Sequence, residues 1–133
     1  MTRDELQARC MRVPFFRYLD FTIERADEAG VLAAMTQCDR HVGNPVLGAF
    51  HGGITASFME AIASAAVWRH GTEAAPKPIN LTVDYLRPAL AGVLHARAGV
   101  GRLGRRMASV ETLAWQEEEA RPVARGLFHF LVV

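Results

Sequence analysis

The chain is short of nearly everything that would commit it to a specialised class. It has two cysteines, Cys10 and Cys38, in 133 residues. That is too few for a disulfide framework and fits reduced thiols in an intracellular compartment. No histidine motif accompanies either thiol, which argues against a cysteine nucleophile. Fifteen basic against fourteen acidic side chains leave a formal charge of +1, so no broad field draws the protein to nucleic acid or to a membrane surface. The opening TRDELQARC lacks the basic and apolar segments of a signal peptide, and a cytoplasmic protein is expected. No apolar run reaches the roughly 20 residues of a membrane span. Apart from His51, the histidines (His41, His70, His95 and His129) are scattered without metal-ligand spacing, and no metal is expected. A glycine-rich nucleotide loop of the Rossmann or P-loop kind is also missing, which argues against NAD or ATP chemistry.

What is present is an ordinary globular balance, 50% hydrophobic and 22% charged, with no repeat or low-complexity segment. Residues 1–133 are expected to form one domain that buries about two-thirds of its unfolded surface. One stretch stands out: HGGITASFMEAIASAAVWRH, from His51 to His70. Ile54, Phe58, Ile62 and Ala65 or Ala66 recur at helical spacing, and the opposite positions are alanine and serine. Such a helix, small or apolar all round, belongs inside the molecule. Glu60 is its one charged residue between Ile54 and Trp68, and Gly71 occupies the place of a C-terminal glycine cap.

Around that helix the remaining chain reads mainly as strands. Asp4 to Met11 forms a short helix capped by Thr2 with Glu5 three residues on, and Pro14 ends it. Phe15 to Ala26 mixes aromatic and β-branched residues, with Phe21 to Glu24 alternating as a strand. Asp27 to Gly30 is a hairpin turn, Val31 to Gln37 the returning strand, and Asp39 to Phe50 a loop. Ala74 to Pro78 is a connector. Ile79, Leu81, Val83 and Tyr85 then alternate with polar residues in a strand stopped by Pro88. Gly92 to Leu103, Met107 to Glu117 and Pro122 to Val133 follow as strands at hairpin distances. The expectation is an α+β domain: about six strands, mainly antiparallel, curved around one long helix. An open face on either layer favours pairing with a second copy.

Three motifs extend this reading. Asn44, then Gly48, lead into His51-Gly52-Gly53, with an acid nine positions after the histidine; Asp84-Tyr85-Leu86-Arg87-Pro88 ends the next strand; Gly104-Arg105-Arg106 fills a later turn. In this order and spacing the chain resembles the hotdog-fold acyl-CoA thioesterases of the phenylacetate-pathway, or PaaI-like, group over roughly residues 20 to 133. That group ordinarily carries aspartate at the helix position where this chain has Glu60, and a related branch acting on 4-hydroxybenzoyl-CoA uses glutamate there.

The resemblance implies thioester hydrolysis to a carboxylic acid and free coenzyme A, without a cofactor beyond the coenzyme A of the substrate. Glu60 is then the general base or nucleophile. The helix N-terminus offers amides without intrahelical partners and the positive end of the dipole, and the resemblance makes the Gly52 amide the polariser of the thioester carbonyl. Glu60 lies about 12 Å along the axis from that end, too far for one chain to place both groups on one carbonyl. The family resolves this by taking them from different protomers of a homodimer or a dimer of dimers. Ser64, one turn beyond Glu60, faces the same way and bonds either the carboxylate or its own backbone. Asn44 either orients the carboxylate or water, or is a turn residue before Pro45. His51 is a loop anchor or a substrate contact, and Gly53 leaves room for the acyl group. Arg87, Arg105 and Arg106 are candidates for the coenzyme A phosphates, since guanidinium forks suit phosphate.

Bland alternatives stand beside these roles: paired glycines as a helix start, and Glu60 as an acid paired with an arginine in an interface. Two other functions also compete. One is a hotdog dehydratase or hydratase, although the His-Phe-Pro-Gly pattern of those dehydratases is missing. The other is a non-catalytic acyl-CoA-binding module.

Overall fold

The computed structural model describes residues 1–71, 73 and 75–132. Ala74 of the expected connector and Val133 of the last expected strand lie outside the described residues. Helix α1 (Arg3–Cys10) starts on the expected capping box, Thr2 and Glu5 each bonding the other's backbone. It is followed by a second helix, α2 (Pro14–Leu19), where the sequence suggested the start of a strand. Pro14 sits at a first-turn position, where its fixed φ is already helical and its missing N–H costs nothing. Phe16 and Leu19, three apart, both enter the core. Asp20 ends the helix in a left-handed conformation, φ 62°.

The main sheet has six antiparallel strands in the order β1-β2-β6-β7-β8-β5: β1 (Thr22–Asp27), β2 (Gly30–Thr36), β5 (Lys77–Tyr85), β6 (Val93–Leu103), β7 (Met107–Trp115) and β8 (Ala124–Leu131). Between β2 and the long helix, the expected loop folds into a 3-10 turn (Asp39–His41) and a small ribbon of β3 (Val42–Asn44) and β4 (Ala49–Phe50). Helix α3 (Gly52–Trp68) lies across the concave face of the sheet, the hotdog arrangement. It ends at Arg69, with Gly71 two residues beyond in a left-handed conformation at φ 88°.

Small side chains let helix and sheet approach closely. Ala61, Ala63, Ala65 and Ala66 of α3 are buried, as are Ala96, Ala98, Ala114 and Ala124 on the sheet. Phe58 extends this contact into a cluster with Phe21 and Phe16 under α2, ring centroids 5.7 and 6.2 Å apart.

One flank of the molecule is unfinished. Among the described residues strand β5 is an edge, paired only with β8. Its core-facing residues oppose buried partners, Leu81 against Phe128, Val83 against Gly126 and Tyr85 against Ala124. Yet Leu81 is 44% and Tyr85 56% exposed. The neighbouring stripe of α3 is equally open: Gly52, Gly53, Ala56, Ser57 and Glu60 are half-buried or exposed. At 100° per residue these positions share one side of the helix. No helix among the described residues is long and apolar enough to cross a membrane.

Candidate active site

The site begins with how α3 begins. His51 is its N-cap, in extended conformation, and its Nδ1 accepts from the Gly53 N–H at 2.9 Å. That bond fixes the neutral tautomer with the proton on Nε2. Two close approaches explain the glycines on either side. A Cβ on Gly53 would stand 2.9 Å from His51 Nδ1, and one on Gly43 would stand 2.6 Å from the His51 Cα. The His51 amide donates to the His41 carbonyl at 2.7 Å, so the cap is tied to the loop before it.

His41 anchors that loop. It is fully buried and stacks on Phe50 with centroids 5.7 Å apart. Its Nδ1 accepts from the Cys38 amide at 3.2 Å, and its Nε2 pairs with the Leu19 carbonyl at 2.8 Å. One accepting and one donating nitrogen describe a neutral imidazole, and burial lowers the His41 pKa. Both nitrogens are engaged with backbone groups, and the Cys38 sulfur lies 3.6 and 3.5 Å from Nδ1 and Nε2, a histidine beside the thiol that the sequence did not signal. Burial pushes the Cys10 thiol up to about 12, so it stays protonated and inert.

With the Gly53 amide capped, the Gly52 amide is left over. No acceptor among the described residues takes it, while the Tyr85 hydroxyl donates to the Gly52 carbonyl at 2.7 Å. The Tyr85 ring lies flat enough on Gly52 that a Cβ there would meet Cε1 and Cζ at 3.3 Å. Burial raises the Tyr85 pKa, which keeps the hydroxyl a donor. A cavity of 340 Å³ opens here, lined by Phe50, Gly52, Thr55, Tyr85, Leu86 and Arg87 among others. Arg87 stands at its mouth with Nη1 donating to the Pro122 carbonyl at 2.6 Å. Tyr85 entered the sequence reading as part of a motif and on the apolar register of β5, but not as a site residue; that the register carries it over the helix start is a tertiary fact no local pattern shows.

Glu60 lies half-buried on the open stripe of α3, and no side chain among the described residues pairs with it. Burial raises its pKa. Ser64 is buried, 5% exposed, and makes no hydrogen bond to Glu60 among the described residues. Asn44 is exposed at the end of β3, where its Oδ1 accepts from the amides of Val46 and Leu47 at 3.1 and 3.2 Å. Its carbonyl side is therefore engaged in the turn, and only its NH₂ group is free to act elsewhere.

Arg105 and Arg106 belong to the other end of the sheet. They occupy the turn before Met107, which pairs with Leu131, and Leu131 pairs with Lys77 at the far end of β5 from Tyr85. Eight residues of strand put that turn about 27 Å from the start of α3 in the same chain. One chain thus gathers Gly52, Gly53, His51 and Arg87 at one place, Glu60 and Ser64 two to three turns away, and Arg105 with Arg106 at the opposite end.

A family model described as the thioesterase superfamily matches residues 47–123, more than half of the chain and the segment from the turn before β4 to the loop before β8. No curated protein matches the sequence. The X-ray structure of a protein from the thioesterase superfamily superposes with a TM-score of 0.90 at 26% identity, covering 98% of each chain. Thioesterase superfamily member 2 of zebra fish gives 0.88 at 20% identity, covering 100% of this chain and 99% of the other. A mutant of the phenylacetic acid degradation protein PaaI from Thermus thermophilus gives 0.77 at 22% identity, covering 90% and 99%.

Proposed function

Because this chain belongs to the thioesterase superfamily, we infer that it is an acyl-CoA thioesterase that hydrolyses its substrate to a carboxylic acid and free coenzyme A. The observation that carries this reading is the start of α3: a glycine amide without a protein partner, opening on a cavity, its carbonyl held by Tyr85. A thioester oxygen resting on the Gly52 amide would be polarised by that donor and by the helix dipole. One such donor is worth about 2.7–4 kcal/mol of transition-state stabilisation.

Glu60 supplies the second half of the chemistry. As a base it takes a proton from water as the oxygen adds to the carbonyl carbon, then returns the proton to sulfur as the C–S bond breaks. As a nucleophile it would add to the carbonyl carbon and expel the coenzyme A thiolate as the C–S bond breaks, giving a mixed anhydride. Water then opens the anhydride to the free acid and the regenerated Glu60 carboxylate, and a proton released by that water passes to the thiolate. Both routes need an ionised carboxylate beside the carbonyl, and the roughly 12 Å of helix between Glu60 and Gly52 rules out one chain supplying both.

A second copy closes the gap. The free edge of β5 and the exposed Leu81 and Tyr85 beside it favour a twofold contact. Antiparallel pairing of two β5 edges sets the Tyr85 end of one chain beside the Lys77 end of the other. The partner's Arg105 and Arg106 then approach this chain's Arg87, and the partner's Glu60 approaches this chain's Gly52. The basic residues that one chain holds apart would together form a mouth suited to phosphates.

The test is thiol release across aryl, short, medium and long acyl-CoAs. Hydrolysis of at least one class, abolished by Glu60→Gln, is the expected result. Hydration of a crotonyl thioester without thiol release, or tight acyl-CoA binding with no turnover over hours, would overturn it.

A further inference from the structure

Residues 86–92 form a strap that joins β5 to β6 and walls the cavity at the start of α3. Pro88 in its middle has no N–H to give to a sheet ladder. The strap is tied instead to what it crosses. The amides of Leu86 and Arg87 donate to the Val123 carbonyl at 2.8 and 3.2 Å, and the Gly92 carbonyl accepts from the Gln37 amide at 2.9 Å. The Ala89 carbonyl accepts from the amide of Phe50 at 2.8 Å, just ahead of His51 and Gly52.

The next residue, Leu90, is held by a single side chain. Its amide donates to Gln116 Oε1 at 2.8 Å, and Gln116 Nε2 donates back to its carbonyl at 2.6 Å. A side-chain amide offers a donor and an acceptor as a peptide group does, so Gln116 stands in for a strand at this point. Leu90 is 46% exposed, so packing of its own side chain does little to fix the strap. Gln116 and Val123 bound the loop between β7 and β8. Strap and loop are therefore fastened to each other at both ends. A cavity of 610 Å³ lies along them, lined by Leu90, Gln116 and Arg121 among others, and it shares Arg87, Pro88 and Val123 with the cavity at Gly52.

Arg87 stands where the two cavities meet. The Pro122 carbonyl takes its Nη1 at 2.6 Å, and no acidic side chain among the described residues pairs with it. Its other N–H donors remain for a ligand. We propose that Gln116 is a positioning residue for substrate binding: by fixing Leu90 on both backbone groups it holds the strap against the loop, and so holds Arg87 where it receives a phosphate of coenzyme A. The inference rests on the thioesterase reading and adds to it a residue that touches neither the thioester nor Glu60. The Gly52 amide is set by His51 and Tyr85, so loss of Gln116 falls on binding and not on turnover.

Gln116→Met keeps the length of the side chain and removes both bonds; Gln116→Asn stays polar but is too short to reach Leu90. Both are compared with wild type, with Arg87→Ala and with the Arg87→Ala double variants. The probes are phenylacetyl-CoA and octanoyl-CoA, the N-acetylcysteamine thioesters of the same two acids, and coenzyme A alone by calorimetry. Each Gln116 variant should raise KM for a hydrolysed acyl-CoA, and Kd for coenzyme A, roughly fivefold to tenfold, with kcat little changed. KM for the N-acetylcysteamine thioester, which carries no phosphate, should stay near wild type. In the Arg87→Ala background the Gln116 substitutions should add little, because both act through one contact. Unchanged KM and Kd, an equal loss on the thioester without phosphate, or additive effects with Arg87→Ala would overturn the proposal, as would a wild type that does not bind coenzyme A. Thiol release from none of the thioesters, with coenzyme A binding weakened in the same non-additive way, would instead overturn the hydrolase reading alone.

Discussion

Gly52 and Glu60 carry the proposed chemistry, and each is placed by neighbours that can be altered separately. Burial raises the Glu60 pKa, so ionising it costs more in the folded chain than in the unfolded one. That penalty is absent below the ordinary glutamate range and grows as pH rises through the raised value. Glu60→Gln should therefore melt higher than wild type at neutral pH, with the difference closing toward about pH 4. In the same variant turnover should fall by about 10²–10⁴-fold. The acid limb of the wild-type pH–rate profile should lie above the ordinary glutamate range; a limb at or below it would count against Glu60 as the titrating group. Tyr85→Phe removes the bond to the Gly52 carbonyl and keeps the ring. It should lower kcat by roughly tenfold with KM little changed, because the ring still covers Gly52. Equal loss in kcat/KM through KM alone would make Tyr85 a binding residue and not a positioning one.

At the scale of elements, the site depends on a chain of hydrogen bonds: α2 to the His41 ring, the His41 carbonyl to the His51 amide, the His51 ring to the first turn of α3. The folded state lowers the His41 pKa, so the unfolded chain takes up protons first as pH falls. Stability that His41 contributes is present above its ordinary value of 6.5 and is lost as pH drops below it. Thermal melting followed over this range should show that loss in wild type, and His41→Gln should melt lower at neutral pH with a flatter profile. An identical slope in both would exclude His41 as the source. Much of this scale was legible in advance. The capping box at Thr2, the alternation in β5 and the small, apolar α3 each follow from local pattern. Helix α2 was not, because Phe15, Phe16 and Tyr18 favour strands and only tertiary burial of Phe16 and Leu19 with Pro14 at the start selects the helix. The His41 anchor was equally hidden, since its partners lie 22 residues away at Leu19 and in the backbone of Cys38.

On the scale of the whole molecule, a single chain leaves its proposed chemistry in separate parts. The sequence reading proposed Gly52 and Glu60 and, from the length of helix between them and the family resemblance, a second copy. It did not reveal that Arg105 and Arg106 sit at the opposite end of the sheet from Arg87, because that follows from strand register. A charge placed on the free edge, Leu81→Glu, should convert the assembly to monomers on gel filtration and abolish turnover while each chain stays folded. The most direct measurement is subunit mixing. Gly52→Val and Glu60→Gln chains are each made as inactive homodimers, then unfolded together and refolded. If the site takes its amide from one chain and its acid from the other, half the dimers are mixed and each holds one intact site of two. Activity should return to about a quarter of wild type, by that count of sites. No recovery, with mixed dimers shown to be present, would contradict a site shared between chains.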